Sequence, residues 1–250
     1  MEIVKQTVKI NETNFDRMAC DVRGEKFQKH GRLLPDSIRC LICGPSGCGK
    51  TNAVLNLLID ENGLKFQNVY VYSKSIGQPK YELLNRILGS VGGGMEYFPF
   101  SDADSIVEPN ETKTNSVVVF DDLICDDQSP IREYFSRGRH AGVDCFLICQ
   151  TYSKIPKQLV RDNANAIVAF KQDDLNLRHI YRDHVNTDMD FQCFKDACAL
   201  CWGENRHGFI SIFKDFDLDD GRYRKGFDKF IKFAKMNTPN ASEIRILRPE

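Results

Sequence analysis

At 250 residues the chain is long enough to bury one large core or two small ones. Hydrophobic residues make up 42% and charged residues 28%, the balance of a globular enzyme, which excludes a disordered or fibrous chain. A formal net charge of -1 excludes a global basic field, so any contact with nucleic acid must come from a local patch.

The predicted elements begin with "EIVKQTVKI", whose alternation suits a short leading strand and which lacks the apolar stretch of a signal peptide. No apolar run approaches the roughly 20 residues needed to span a bilayer. The expectation is a soluble, intracellular protein with no membrane span. "SIRCLICG" reads as a buried strand entering a glycine-rich turn, and Val54, Leu57 and Leu58 behind it fall at helical spacing. "NVYVYS" is a second strand, with Tyr70 and Tyr72 on one face, and "KYELLNRIL" a second helix. From Gly89 to Asn115 the composition turns to glycine, serine and acids, which reads as a loop-rich insertion.

"SVVVFDD" is a strand ending on two acids, "PIREYFSRGRH" a helix opened by proline, and "VDCFLICQ" another strand. A short helix from Pro156 through Val160 and the strand "NAIVAFK" follow. Strands apolar on both faces, alternating with helices, predict an α/β fold with a mostly parallel sheet covered on both sides. Residues 1–171 are read as that core, with its leading strand. Residues 172–250 are read as a small α+β extension packed on the same domain: two helices, the strand "HGFISIFKDF" and a basic tail.

Of the ten cysteines, Cys40, Cys43, Cys145 and Cys149 lie inside strand-like runs, as small hydrophobes do, so reduced thiols and a reducing compartment are expected. Cys193, Cys198 and Cys201, with His207, form only a weak metal set, because "FQCFKDACALCW" has helical periodicity and core packing explains it.

The strongest motif is "GPSGCGKT": Gly44, Pro45, Ser46, Gly47, Cys48, Gly49, Lys50 and Thr51 match the Walker A phosphate loop. Such a loop turns backbone N–H groups and the positive end of the next helix toward a phosphate. Lys50 would reach the β and γ phosphates of ATP, and Thr51 would hold Mg2+ through its hydroxyl. In "VVVFDD", Asp121 fits the second metal-associated group and Asp122 the residue that orients or deprotonates water. Gln150 ends an apolar strand on an amide. If that strand lies beside the phosphate-loop strand, Gln150 would sense the γ-phosphate or the attacking water. Arg137 and Arg139 just upstream are either solvated or fingers that neutralise transition-state charge in a neighbouring subunit.

The order and wording of "LICGPSGCGKT", "VVVFDD", "GRHAGVDCFLICQTYSKIPKQLVRDNANAIVAFK" and "HGFISIF" resemble the poxvirus-type genome-packaging ATPases of the FtsK/HerA P-loop superfamily. With "YRDHVNTDM" and "GRYRKGF", the chain most resembles the versions in Maverick/Polinton elements and adintovirus-like viruses, over roughly residues 25 to 232. The resemblance implies a RecA-like P-loop core with an additional strand between the Walker A and Walker B strands. It implies an ATP-hydrolysing translocase, built as a homo-oligomeric ring, that moves double-stranded DNA into a capsid and meets a capsid or portal-vertex protein. The host nucleus or a virion assembly site is the implied location. By position, Lys50 and Thr51 bind phosphate and metal, Asp121 binds metal, Asp122 is the catalytic acid and Gln150 the sensor. Many superfamily members have glutamate where Asp122 stands. Arg139 sits in the family-like Gly-Arg-His, with Arg137 and Arg161 as other finger candidates. The alternatives are a P-loop kinase or other NTPase, and a non-motor nucleotide-binding protein retained from a mobile element. In the tail, Arg222, Arg224, Lys225, Lys229, Lys232 and Lys235 accompany a single acid, Asp228, from Gly221 to Lys235. They suit DNA or capsid contact, or else an amphipathic helix with Phe227, Phe230, Ile231 and Phe233 turned inward.

Overall fold

The computed structural model describes residues 29–91, 94–102, 105–123, 128–203, 206–233 and 245–247. The predicted leading strand and Lys235 lie outside them. The apolar runs form parallel strands: β1 (Arg39–Cys43), β2 (Asn68–Ser73), β3 (Glu96–Phe100), β4 (Ser116–Asp121), β5 (Val143–Cys149) and β6 (Ala166–Phe170). They are ordered β6-β1-β5-β4-β2-β3. Parallel neighbours need long crossovers, which the helices supply. These are α1 (Lys50–Ile59), α2 (Pro79–Val91) and α3 (Ser129–Arg137), while α4 (Asp174–His184) and α5 (Phe191–Trp202) follow β6.

Each strand's alternate residues feed two cores. Val117 and Val119 of β4 join Val54, Leu57 and Leu58 of α1 and Tyr81, Leu84 and Leu88 of α2. Val118 and Phe120 join Tyr134 of α3, Ile180 of α4 and Phe194 of α5 on the opposite face. The helices α4 and α5 start where a side chain satisfies one of their first N–H groups. Asp173 accepts from Asn176 N at 2.7 Å and Asp190 from Cys193 N at 2.8 Å, while Pro130 opens α3. The fold is thus the α/β P-loop class, with helices on both faces of a mostly parallel sheet. As the resemblance implied, β5 stands between the Walker A strand β1 and the Walker B strand β4.

Beyond β6 the sheet continues antiparallel through β7 (Phe209–Phe213), β8 (Tyr223–Lys225), β9 (Lys229–Lys232) and β10 (Arg245–Leu247), making ten strands among the described residues. Three expectations are corrected. The insertion from Gly89 to Asn115 contains β3, which pairs with β2 and holds Pro99 opposite Val71. Its glycines, serines and acids read as loop, but an outer strand can hold a proline, whose missing ladder donor falls on the open side. The helix from Pro156 is instead one wide turn, Lys157–Arg161, broken by an extended Gln158 and by Leu159 at φ 67°. The tail is a hairpin rather than an amphipathic helix, and it buries Arg224 completely. Arg224 donates to the carbonyls of Gly221, Leu33 and Phe227 and lies between the rings of Phe213, Phe216 and Phe230. Burial lowers its pKa to about 10. Arg222 Nη1 donates to both Asp188 carboxylate oxygens, at 2.8 and 2.9 Å. The Arg224 guanidinium is buried and that of Arg222 is held by Asp188, whereas Lys229 and Lys232 are exposed. Among the described residues no helix is long and apolar enough to cross a membrane.

Candidate functional site

Parallel strands bring their carboxyl ends to one edge, and the polar residues that follow β1, β4, β5 and β2 converge there. They line a cavity of about 320 Å3. Ser46, Gly47, Gly49, Lys50 and Thr51 come from the phosphate loop, Asp121 and Asp122 from the end of β4, and Gln150 from the end of β5. β5 pairs directly with β1, with Cys149 opposite Cys43, so Gln150 is the first residue past the strand beside the loop. Gly44 N donates to Cys149 O at 3.2 Å, joining the two exits.

Gly49 caps α1 at φ 110°, a conformation that strains any side chain, and offers no side-chain acceptor to the helix. The first turn of α1 contains no acid. Its leading N–H groups, which have no intrahelical acceptor, meet no capping anion from their own first turn. Lys50 Nζ donates to Gly44 O at 2.7 Å and Pro45 O at 2.9 Å, folded across the loop mouth. Thr51 Oγ1 donates to Asp121 Oδ2 at 3.2 Å. An uncapped helix start, a lysine and a hydroxyl-carboxylate pair of hard oxygens fit a nucleoside triphosphate with Mg2+.

Asp121 is half-buried, and the Tyr81 hydroxyl donates to the same Oδ2. Burial pushes its pKa up, against the hydrogen bonds of Tyr81 and Thr51 and the charge of Lys50; Asp122 adds to the rise. Tyr81 was missed by sequence reasoning, which saw only a helix. Ser73, Ser75, Gln78 and Lys80 also line the cavity and were missed. The available signal was their place after a strand that neighbours β4.

Asp122 leaves the strand at φ 55°. Aspartate is among the few side chains that the left-handed region accepts, because its short carboxylate bonds locally; this gives a backbone reason for Asp rather than Glu. Its carboxylate is exposed, with the Gln150 amide Nε2 at 3.4 and 3.5 Å, the outer limit of a hydrogen bond.

The arginines stand elsewhere. Arg137 ends α3 in an exposed pair with Glu133 at 3.2 Å, and Arg139 lies exposed in the turn Gly138–Ala141. Both precede the amino end of β5, roughly 20 Å from Gln150 by strand rise, out of reach of their own phosphate loop. Arg161 is held at 2.6 Å by Asp183 and stacks on Tyr152, which makes it a structural tie. Cys198 and Cys201 pack in the core of α5, and His207 stands instead at the phosphate loop.

No protein-family model matches the chain, and no curated protein does. Solved structures similar to it include the genome packaging NTPase B204 from Sulfolobus turreted icosahedral virus 2 in complex with AMPPCP. It is 15% identical, with a TM-score of 0.49, over 73% of this chain and 95% of that one. EssC (ATPases 2 and 3) from Geobacillus thermodenitrificans is 14% identical with a TM-score of 0.42, over 62% of this chain and 35% of that one. A large terminase from a thermophilic bacteriophage, in complex with ADP, is 20% identical with a TM-score of 0.31, over 45% of this chain and 33% of that one. The fold assignment rests on the chain's own strand order and phosphate loop.

Proposed function

We propose that the chain is a Mg2+-dependent ATPase whose hydrolysis drives double-stranded DNA into a viral or virus-like capsid. The observation that carries the hydrolytic part is the meeting, at one sheet edge, of the Lys50–Thr51 loop with Asp121 and with the Asp122–Gln150 pair. The DNA-packaging part is supported by the run of motifs from "LICGPSGCGKT" to "HGFISIF".

Thr51 and Asp121 would hold Mg2+, which when bound neutralises charge on the phosphate oxygens. Tyr81 orients Asp121 so that its other oxygen stays available. Lys50 releases the loop carbonyls and turns to the β and γ phosphates. Asp122 accepts a proton from the attacking water, and Gln150, whose amide carries both donor and acceptor, aligns that water. The Asp122–Gln150 pair favours transfer to water over transfer to a bound acceptor, and so the ATPase over a kinase. Arg137 and Arg139, remote from their own loop, would act only on the site of an adjacent subunit in a homo-oligomeric ring. A capsid or portal-vertex protein is the other partner, at a virion assembly site.

Phosphate release is measured with and without double-stranded DNA while assembly state is followed by light scattering. Stimulation by DNA, appearing with assembly, is expected. Turnover indifferent to DNA at every subunit concentration would remove the translocase reading and leave only the ATPase.

A further inference from the structure

Arg206 and His207, just before β7, stand against the outer side of the phosphate loop. At the end of α5, the Trp202 indole donates to the Ala169 carbonyl of β6 at 2.9 Å. The chain re-enters the sheet at Phe209, opposite Phe170, with ring centroids 5.0 Å apart. A Cβ on Gly208 would stand 2.6 Å from the Cys201 and Trp202 carbonyl oxygens, so only glycine lets the chain fold back this closely. Because β6 lies beside β1, these anchors carry Arg206 and His207 to the loop that follows β1.

His207 Nδ1 lies 2.9 Å from the Cys48 carbonyl oxygen. A carbonyl only accepts, so Nδ1 carries the proton. His207 also lines the cavity beside Gly49 and Lys50. Arg206 reaches over the loop apex, with a terminal guanidinium nitrogen 2.9 Å from where a Cβ on Gly47 would stand. It is exposed and forms no ion pair with a described carboxylate. A guanidinium held this near Lys50 and the positive start of α1 gains from an anion that all three share.

We propose that Arg206 is a polyphosphate-binding residue supplied in cis by the α5–β7 turn, with His207 as the positioning residue that ties this turn to the loop through Cys48. The inference rests on the nucleotide reading above and deepens it, naming the phosphates beyond the first as the group recognised. It gives the site an arginine from its own chain, a role that Arg137 and Arg139 are too distant to fill.

The test is calorimetric titration of the full chain with ATPγS, ADP and AMP in Mg2+, with Lys50→Ala as the reference for a lost phosphate site. Arg206→Ala is expected to weaken ATPγS and ADP roughly tenfold, the scale of a lost charge-assisted hydrogen bond, and to leave AMP unchanged. Arg206→Lys should recover part of that loss. His207→Ala should show the same phosphate-dependent loss. His207→Asn, whose amide nitrogen replaces the Nδ1 donor, should restore it. Wild-type ATPγS affinity in Arg206→Ala, while Lys50→Ala fails to bind, would overturn this inference alone. Equal weakening of all three ligands would also overturn it, by placing Arg206 on the nucleoside. A wild-type chain that binds none of them overturns the nucleotide reading, and this inference with it.

Discussion

The two edges of the parallel sheet use the same polar residue types to opposite ends. At the amino edge Asp144 is almost fully buried, and every partner is short and direct: Lys29 Nζ at 2.7 Å, His30 Nε2 at 2.9 Å and Ile38 N at 2.8 Å. These partners hold its carboxyl below the usual range in spite of burial. Asn165 there accepts from Arg39 N and donates to Ser37 O and Asp215. At the carboxyl edge Asp122 and Gln150 are exposed and barely bonded, and Lys50 rests on carbonyls that it can leave. Saturated polar groups hold a fold together, whereas groups with unused valence are available to a ligand.

The sharpest way to break that contrast is at the amino edge. Asp144→Ala strands Lys29, His30 and the Ile38 N–H, and should cost about 3–5 kcal/mol in a urea melt, the scale for removing one partner of a buried pair. A loss under about 1 kcal/mol would mean that this edge is as loosely held as the other.

His184, in the network behind Tyr152, sharpens the contrast through pH. The single Tyr152 hydroxyl proton goes to Asp183 at 2.9 Å, so His184 Nε2 donates to Tyr152 at 2.7 Å, and its buried Nδ1 has no described partner. Burial therefore holds its pKa down to about 3. The unfolded chain takes up this proton first, so the contribution of His184 to stability is full above its ordinary pKa of 6.5. It is lost as pH falls toward 3, by about 1.4 kcal/mol per pH unit. Asp144, whose pKa is lowered, keeps its contribution until pH falls below the ordinary carboxylate value. Between pH 6 and pH 4.5 the loss of stability on acidification should therefore come from His184, opposed by the raised Asp121 carboxyl, and should disappear in His184→Gln; an unchanged slope there would refute the assignment.

Tyr81→Phe has the smallest expected effect. It removes one of two hydrogen bonds on Asp121 Oδ2, worth about 1 kcal/mol. The Mg2+ concentration for half-maximal turnover should rise several-fold, and the acid limb of the rate profile should move to higher pH, because Tyr81 holds the Asp121 pKa down. Metal dependence identical to wild type would reduce Tyr81 to packing.

The legible parts of the molecule were those written by local chemistry. Apolar runs announced β1, β2, β4, β5 and β6, and the spacing of glycines with lysine and threonine announced the phosphate loop. What stayed hidden depends on pairing between distant segments. Glu96–Phe100 becomes a strand because β2 offers an edge, and Arg224 is a core residue because three phenylalanines and three carbonyls surround it. Tyr81 and His207 reach the site only through crossovers that no periodicity records.

Asp122 carries the assignment of the carboxyl edge most directly. Phosphate release by Asp122→Asn should fall by roughly 10²–10⁴, the scale of a lost general base. ATPγS affinity and the urea midpoint of the nucleotide-free protein should stay at wild-type values, because the Asp122 carboxylate contributes so little to the fold. Turnover at the wild-type rate, or a loss that tracks unfolding, would contradict the assignment of that edge to hydrolysis.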